Sequence, residues 1–372
     1  MNSVLAIDVV FLLLATYFFY QISYSFVDIT LKSPLNQRQQ SFVFPQNFTT
    51  LQDPLYSKLI FVILDGITYD YVDNRIKEIP YVKDDCDIHI HQINVFNELI
   101  IESPQSAILS RLEIEQPPKT EIKISTYLKG TNPVVFSLKI PEANPNKINM
   151  QDSLIYQIGQ SDKLKKNYGY LTSYFYDYIG YYLSDNQFAN LGLKYSEDSK
   201  IQEYMEIIKS NSYDTLFIYE GAFDEISHSE GMHTQNGLEA QKKIDTLIRN
   251  VVKNMDEDAI MVLVSDHGKS DRGAHFNCRD ENIKICNSVF FAYTKKGFIK
   301  DDQFIQSLRR KETDERISKQ AEQFSVHESM ISSTISNLLN IPVSFINSGR
   351  SLLEIYPKDA TLQPHLRNQK NI

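Results

Sequence analysis

Tryptophan is absent from the 372 residues, and cysteine occurs only as Cys86, Cys278 and Cys286. No CxxC pair is present, which argues against a thiolate zinc site. Cys278 and Cys286 are close enough to close a small loop. They read as buried or free thiols unless the domain sits in an oxidising compartment. Basic clusters are also missing. The formal net charge is -9, so an acidic surface without Lys/Arg density argues against nucleic acid as a partner. The 42% hydrophobic content suffices for a large core in one big α/β domain or two smaller ones.

Long apolar runs are scarce. One occurs, Val9 to Val27, and it holds no charge. It approaches the roughly 20 apolar residues needed to span a bilayer. Asp8 stands where a signal peptide would carry a basic residue, and no small-residue cleavage site follows. The run reads as an uncleaved anchor, the alternative being a cleaved signal peptide. Lys32 and Arg38 favour a cytoplasmic main domain, whereas the sequon Asn47-Phe48-Thr49 favours a lumenal one. The expected division is an anchor or signal over 1–27, a polar stalk over 28–57, a catalytic domain over 58–356 and a polar tail over 357–372.

From Leu59 onward, short apolar runs alternate with amphipathic stretches. The runs are Leu59–Leu64, Val134–Phe136, Leu171–Phe175, Leu216–Tyr219, Ile260–Val264 and Val289–Tyr293. Helical periodicity marks Met150–Gln160, Lys200–Ser210, Gly237–Asn254 and Val326–Leu339. This pattern predicts an α/β fold: a mostly parallel central sheet covered by helices on both faces, preceded by the N-terminal membrane helix.

Three of the runs lead directly to acids. Leu59–Leu64 precedes Asp65, Leu216–Tyr219 precedes Glu220 and Asp224, and Ile260–Val264 precedes Ser265-Asp266-His267-Gly268. Ligands of open α/β sheets bind beyond the carboxyl ends of the strands, so these acids would meet at one edge. A lone acid there is ordinarily a turn or helix cap. Asp224 and His228 lie one helical turn apart, and His275 returns eight residues after His267. Asp65, Asp224, His228, Asp266, His267 and His275 together make a ligand set for two divalent ions. Nitrogen and carboxylate donors suit Zn²⁺ first and Mn²⁺ second. Two such ions form a clamp for phosphoryl transfer. A hydroxyl nucleophile is expected in the segment Glu102–Leu112, at Ser106 or, in another register, Ser110.

The order of these groups resembles that of the alkaline phosphatase superfamily. The local wording is similar to the GPI ethanolamine phosphate transferases: Asp65-Gly66-Ile67-Thr68-Tyr69-Asp70, Pro104–Leu112, Asp224–His228 with Gly231 and His233, and Asp266-His267-Gly268 through Gly273-Ala274-His275. The resemblance runs from about Leu59 to Leu353. It implies an alkaline-phosphatase-like fold, with Asp65, Ser106, Asp266 and His267 on one metal and Asp224, His228 and His275 on the other. Ser106 would form the covalent phospho-enzyme.

The resemblance further implies transfer of phosphoethanolamine from a phospholipid donor to a GPI glycolipid acceptor at the endoplasmic reticulum membrane, with the catalytic domain lumenal. Departures are Thr68 where arginine is usual, Glu225 for histidine, Ser227 for glycine and Lys269 for an apolar residue. The family's multi-span membrane domain has no counterpart after Leu353, so a separate multi-span membrane subunit is an expected partner. A phosphodiesterase or nucleotide pyrophosphatase of the same superfamily is the alternative, followed by a catalytically inactive homologue.

Overall fold

A computed structural model describes residues 14–18, 54–72, 93–116, 118–130, 153–161, 163–172, 193–196, 201–232, 234–269, 286–298, 326–343, 347–352 and 355–357. Residues 14–18 of the Val9–Val27 run are helical, and the rest of that run lies outside the described residues. Among the described residues no helix is long and apolar enough to cross a membrane. His275, His233, Asn47, Cys86, Cys278 and the Val134–Phe136 run also lie outside them.

The described strands are β1 (Lys58–Leu64), β2 (Ala107–Glu113), β3 (Asn167–Thr172), β4 (Leu193–Ser196), β5 (Thr215–Glu220), β6 (Ala259–Ser265), β7 (Asn287–Thr294) and β8 (Val326–His327). They form one sheet in the order β4-β3-β5-β1-β6-β7-β2-β8. Every neighbouring pair is parallel except the two that involve β7, which runs against β6 and β2. The expected mostly parallel sheet is therefore present.

Both faces of the central strands are buried, which is why β1 reads as an unbroken apolar run. Leu59, Phe61 and Ile63 enter one core while Ile60, Val62 and Leu64 enter the other, as a period of two requires. The first core is covered by α3 (Thr120–Lys129), α4 (Leu154–Gln160) and α8 (Met330–Leu338), which contribute Tyr127, Ile158 and Ile335. The second is covered by α2 (Val95–Glu102), α5 (Ile201–Lys209), α6 (Ala222–Ser229) and α7 (Gln235–Asn254), which contribute Phe96, Tyr204, Phe223 and Ile248. The helix α1 (Tyr69–Val72) is a single turn.

Two sequence expectations are corrected here. Ala107–Glu113 is a buried strand rather than a nucleophile loop, because Ala107, Leu109 and Ile108, Leu112 feed opposite cores. Val326 and His327 do not begin the last helix. They pair with Leu112 and Glu113 as β8, and α8 starts at Met330.

Register positions the site. Leu64 stands opposite both Glu220 of β5 and Ser265 of β6. The Asp65 N–H donates to Glu220 O at 2.9 Å, and the Asp266 N–H donates to Leu64 O at 3.1 Å. The residues following three strands thus leave the sheet at one level.

Candidate metal centre

Asp65 follows β1, Asp224 sits in the first turn of α6, and Asp266-His267 follow β6. Asp65, Asp266 and His267 are essentially inaccessible to solvent. Asp65, Asp224 and His267 each place one donor atom within 4.8 Å of the others. Nε2 of His267 lies 3.2 Å from Asp65 Oδ1, 3.4 Å from Asp266 Oδ2 and 3.9 Å from Asp224 Oδ1.

Each carboxylate is held by one oxygen. Oδ2 of Asp65 accepts from Tyr219 Oη and, at 3.4 Å, from Thr120 Oγ1. Oδ1 of Asp266 accepts from the N–H groups of Gly66 (3.1 Å) and His267 (2.8 Å). Oδ1 of Asp65 and Oδ2 of Asp266 are buried and receive no hydrogen bond. The His267 ring completes the pattern. Nδ1 is 3.1 Å from Gly268 O and donates to it, so Nε2 directs its lone pair at the two carboxylate oxygens.

Burial pushes the Asp65 carboxyl well above the usual range, and the charges of Asp266 and Asp224 push it further. Burial, then Asp224, raises Asp266 to about 7. Two orphaned carboxylate oxygens and an imidazole lone pair 3.2 and 3.4 Å apart fit a cation. Those spacings suit the edges of a tetrahedron with bonds of about 2.0–2.1 Å, as Zn²⁺ prefers.

His228 lies one turn along α6 from Asp224, its Nε2 3.4 Å from Asp224 Oδ2. It is 37% exposed, and burial lowers its pKa.

Ser106 is not part of this arrangement. Strand β2 runs parallel to β1 and β6, so Ser106, which precedes it, lies at the amino edge of the sheet. Its carbonyl accepts from Thr294 N, and Thr294 Oγ1 donates to Ala259 O at the start of β6. A strand of seven residues, about 20 Å at 3.3 Å per residue, separates it from Asp266. Ser110 is no closer in function. It sits mid-strand opposite Phe290, and its hydroxyl donates to Arg111 O.

The hydroxyl that reaches the site is Thr120. Strand β2 delivers the chain to the carboxyl edge, and after Pro118-Lys119 helix α3 begins at Thr120. Thr120 is buried, with Oγ1 3.3 Å from His267 Nε2 and 3.4 Å from Asp65 Oδ2. The sequence carried a signal for it: a threonine after Pro117-Pro118-Lys119 at the head of a helical run, the usual sign of a helix start.

The Metalloenzyme superfamily model matches residues 173–329, which include Asp224, Asp266 and His267. GPI ethanolamine phosphate transferase 3 of Saccharomyces cerevisiae is 21% identical over 327 residues, covering 84% of this chain and 30% of its own length. The human GPI ethanolamine phosphate transferase 2 catalytic subunit is 23% identical over 286 residues, covering 70% of this chain and 26% of its own.

The chain is similar, at low identity, to GPI ethanolamine phosphate transferases.

It spans under a third of the length of these relatives. The lipoteichoic acid synthase LtaP of Listeria monocytogenes shares the fold, with a TM-score of 0.51 at 13% identity over 81% of this chain and 78% of its own.

Proposed function

We propose that this GPI ethanolamine phosphate transferase relative is a metal-dependent phosphoethanolamine transferase that uses Thr120 as its nucleophile. The observation that carries the reading is the Thr120 hydroxyl lying against the orphaned donors around His267 at the start of a helix. Asp65, Asp266, His267 and Thr120 would hold a divalent ion, with Zn²⁺ favoured by the donor set and Mn²⁺ next. Such an ion supplies Lewis acidity toward a phosphoryl oxygen.

The chain's own groups do the rest. Asp65 Oδ2 accepts the Thr120 hydroxyl proton bond and orients Oγ1. The first turn of α3 aims its N–H groups and the positive end of its dipole at an incoming phosphate. Attack of Thr120 Oγ1, whose proton passes to the Asp65 carboxylate, forms a new O–P bond while the P–O bond to the donor's glycerol breaks, and the departing glycerol oxygen takes that proton up. An acceptor hydroxyl then attacks phosphorus, loses its proton and releases Thr120.

By analogy with what the names of its relatives state, the acceptor class is a GPI glycolipid and the group transferred is ethanolamine phosphate; the donor would be a phospholipid carrying that group. The Val9–Val27 run would anchor the domain to the endoplasmic reticulum membrane with the domain lumenal. Cys286 is disulfide-bonded, which supports an oxidising compartment.

The test uses the full chain with a labelled phosphatidylethanolamine and a mannose-bearing glycolipid. Thr120→Ala should lower transfer by about 10³-fold or more, while Ser106→Ala stays near wild type. Equal loss in both variants, or full activity in Thr120→Ala, would overturn the assignment. Release of the label to water alone would favour the phosphodiesterase reading.

A further inference from the structure

Lys269 has no part in the chemistry derived so far, yet it is fully buried inside the acidic site. It follows Asp266-His267-Gly268. Its backbone N–H donates to Thr68 Oγ1 at 2.8 Å, and its ammonium pairs with Asp224 Oδ1. Gly66 is shaped around it. Gly66 has a φ of 79°, and a Cβ there would stand 2.8 Å from Lys269 Cε and 3.1 Å from Asp224 Oδ1. A larger residue at position 66 would therefore have to push the end of the Lys269 side chain aside.

We infer that the Lys269 ammonium is a built-in second cation, so that this centre holds one divalent ion rather than two. The inference rests on the metal-dependent reading above. Asp65 Oδ1 and Asp266 Oδ2 face His267 and are left for an ion. Asp224 Oδ1 is buried and receives no hydrogen bond either, but it meets the Lys269 ammonium, and the other Asp224 oxygen lies 3.4 Å from His228 Nε2. Asp224 Oδ1 is also farther from His267 Nε2, at 3.9 Å, than the Asp65 and Asp266 oxygens are.

Charge points the same way. Among the described residues, the three aspartates contribute three negative charges when ionised, the lysine offsets one, and a single divalent ion offsets the other two. A second divalent ion beside the lysine would leave a buried excess of positive charge at contact distance, which a low-dielectric site strongly disfavours. It would also have to displace the ammonium from Asp224.

The test is metal stoichiometry, read without any activity. The full chain is stripped with chelator, reloaded with Zn²⁺, desalted and assayed for zinc per chain. Wild type should retain about one ion, and Lys269→Met, similar in length but uncharged, should rise to about two. Two ions in wild type would overturn the inference while leaving the metal-dependent reading intact. A folded Lys269→Met that stays at one ion would also overturn it, since the lysine would then not be what excludes the second. Wild type that retains no zinc would remove the metal reading and this inference together. Should the methionine variant fail to fold, the wild-type count still decides.

Discussion

At the residue scale the site is built on half-satisfied carboxylates. Asp266 gives one oxygen to the Gly66 and His267 N–H groups and leaves the other bare beside His267 Nε2. Without a cation that arrangement is costly, which is why burial and Asp224 hold Asp266 near 7. Its folded-state pKa lies above the unfolded value, so the folded protein binds a proton that the unfolded chain has already released. Stability of the metal-free protein should then fall as pH rises from about 4 to about 7. A bound ion favours the ionised form, so the rise in Tm on adding Zn²⁺ should be larger at pH 8 than at pH 5. Thermal melts at the two pH values check this, and an equal rise at both would count against the site. Asp266→Asn keeps an acceptor for the two N–H groups but removes a buried charge. It should raise the Tm of the metal-free protein by a few degrees and abolish zinc retention, the trade expected when a group serves function rather than stability. The acids were legible in the sequence because each stands directly after a buried strand. Thr120 was not, because its relevance depends on where the six residues after β2 carry the chain, and that is a tertiary fact. Ser106 was attractive on local wording alone.

At the element scale, one buried ion pair holds the helix that carries Thr120. Lys123 of α3 and Glu328, in the turn between β8 and α8, are fully buried with Nζ 2.8 Å from Oε2. Oε1 of Glu328 also accepts from the Glu115 N–H at 3.0 Å, and the Glu328 N–H donates to Glu113 O at 3.1 Å. Glu328 therefore ties α3 through its carboxylate to Glu115, and through its backbone N–H to Glu113 at the end of β2. Burial lowers the Lys123 pKa even against that partner. Lys123→Met would strand Glu328 without its counter-charge and should cost about 3–5 kcal/mol in denaturant unfolding. Adding Glu328→Gln to it should recover a good part of that loss. A single variant within about 0.5 kcal/mol of wild type would show that the pair is not a clamp. The buried strands β1, β5, β6 and β7 were legible from their apolar runs, since a strand covered on both faces has nowhere to hide polar residues. The direction of β2 was not. Nothing in Ala107–Glu113 reveals that it pairs with β7, and its direction is what sends Ser106 to one edge and Thr120 to the other.

At the scale of the whole molecule, the sheet brings residues from positions 65, 120, 224 and 267 to one edge, and the alternation of strands and helices predicted that architecture. How the domain meets a membrane rests on Val9–Val27, Asn47 and Cys286. A lumenal domain should carry glycan on Asn47, seen as a glycosidase-sensitive mass shift that Asn47→Gln abolishes. Digestion of an unglycosylated domain by protease added outside intact microsomes would place it in the cytoplasm and contradict the proposed acceptor. The central claim, that Thr120 is esterified during turnover, has one direct readout. The full chain is mixed with Zn²⁺ and a labelled phosphatidylethanolamine, quenched in acid without acceptor, and its peptides are read by mass spectrometry. The account predicts an ethanolamine phosphate adduct on Thr120 and none on Ser106 or Ser110. An adduct on either serine, or turnover without any adduct on Thr120, would contradict it.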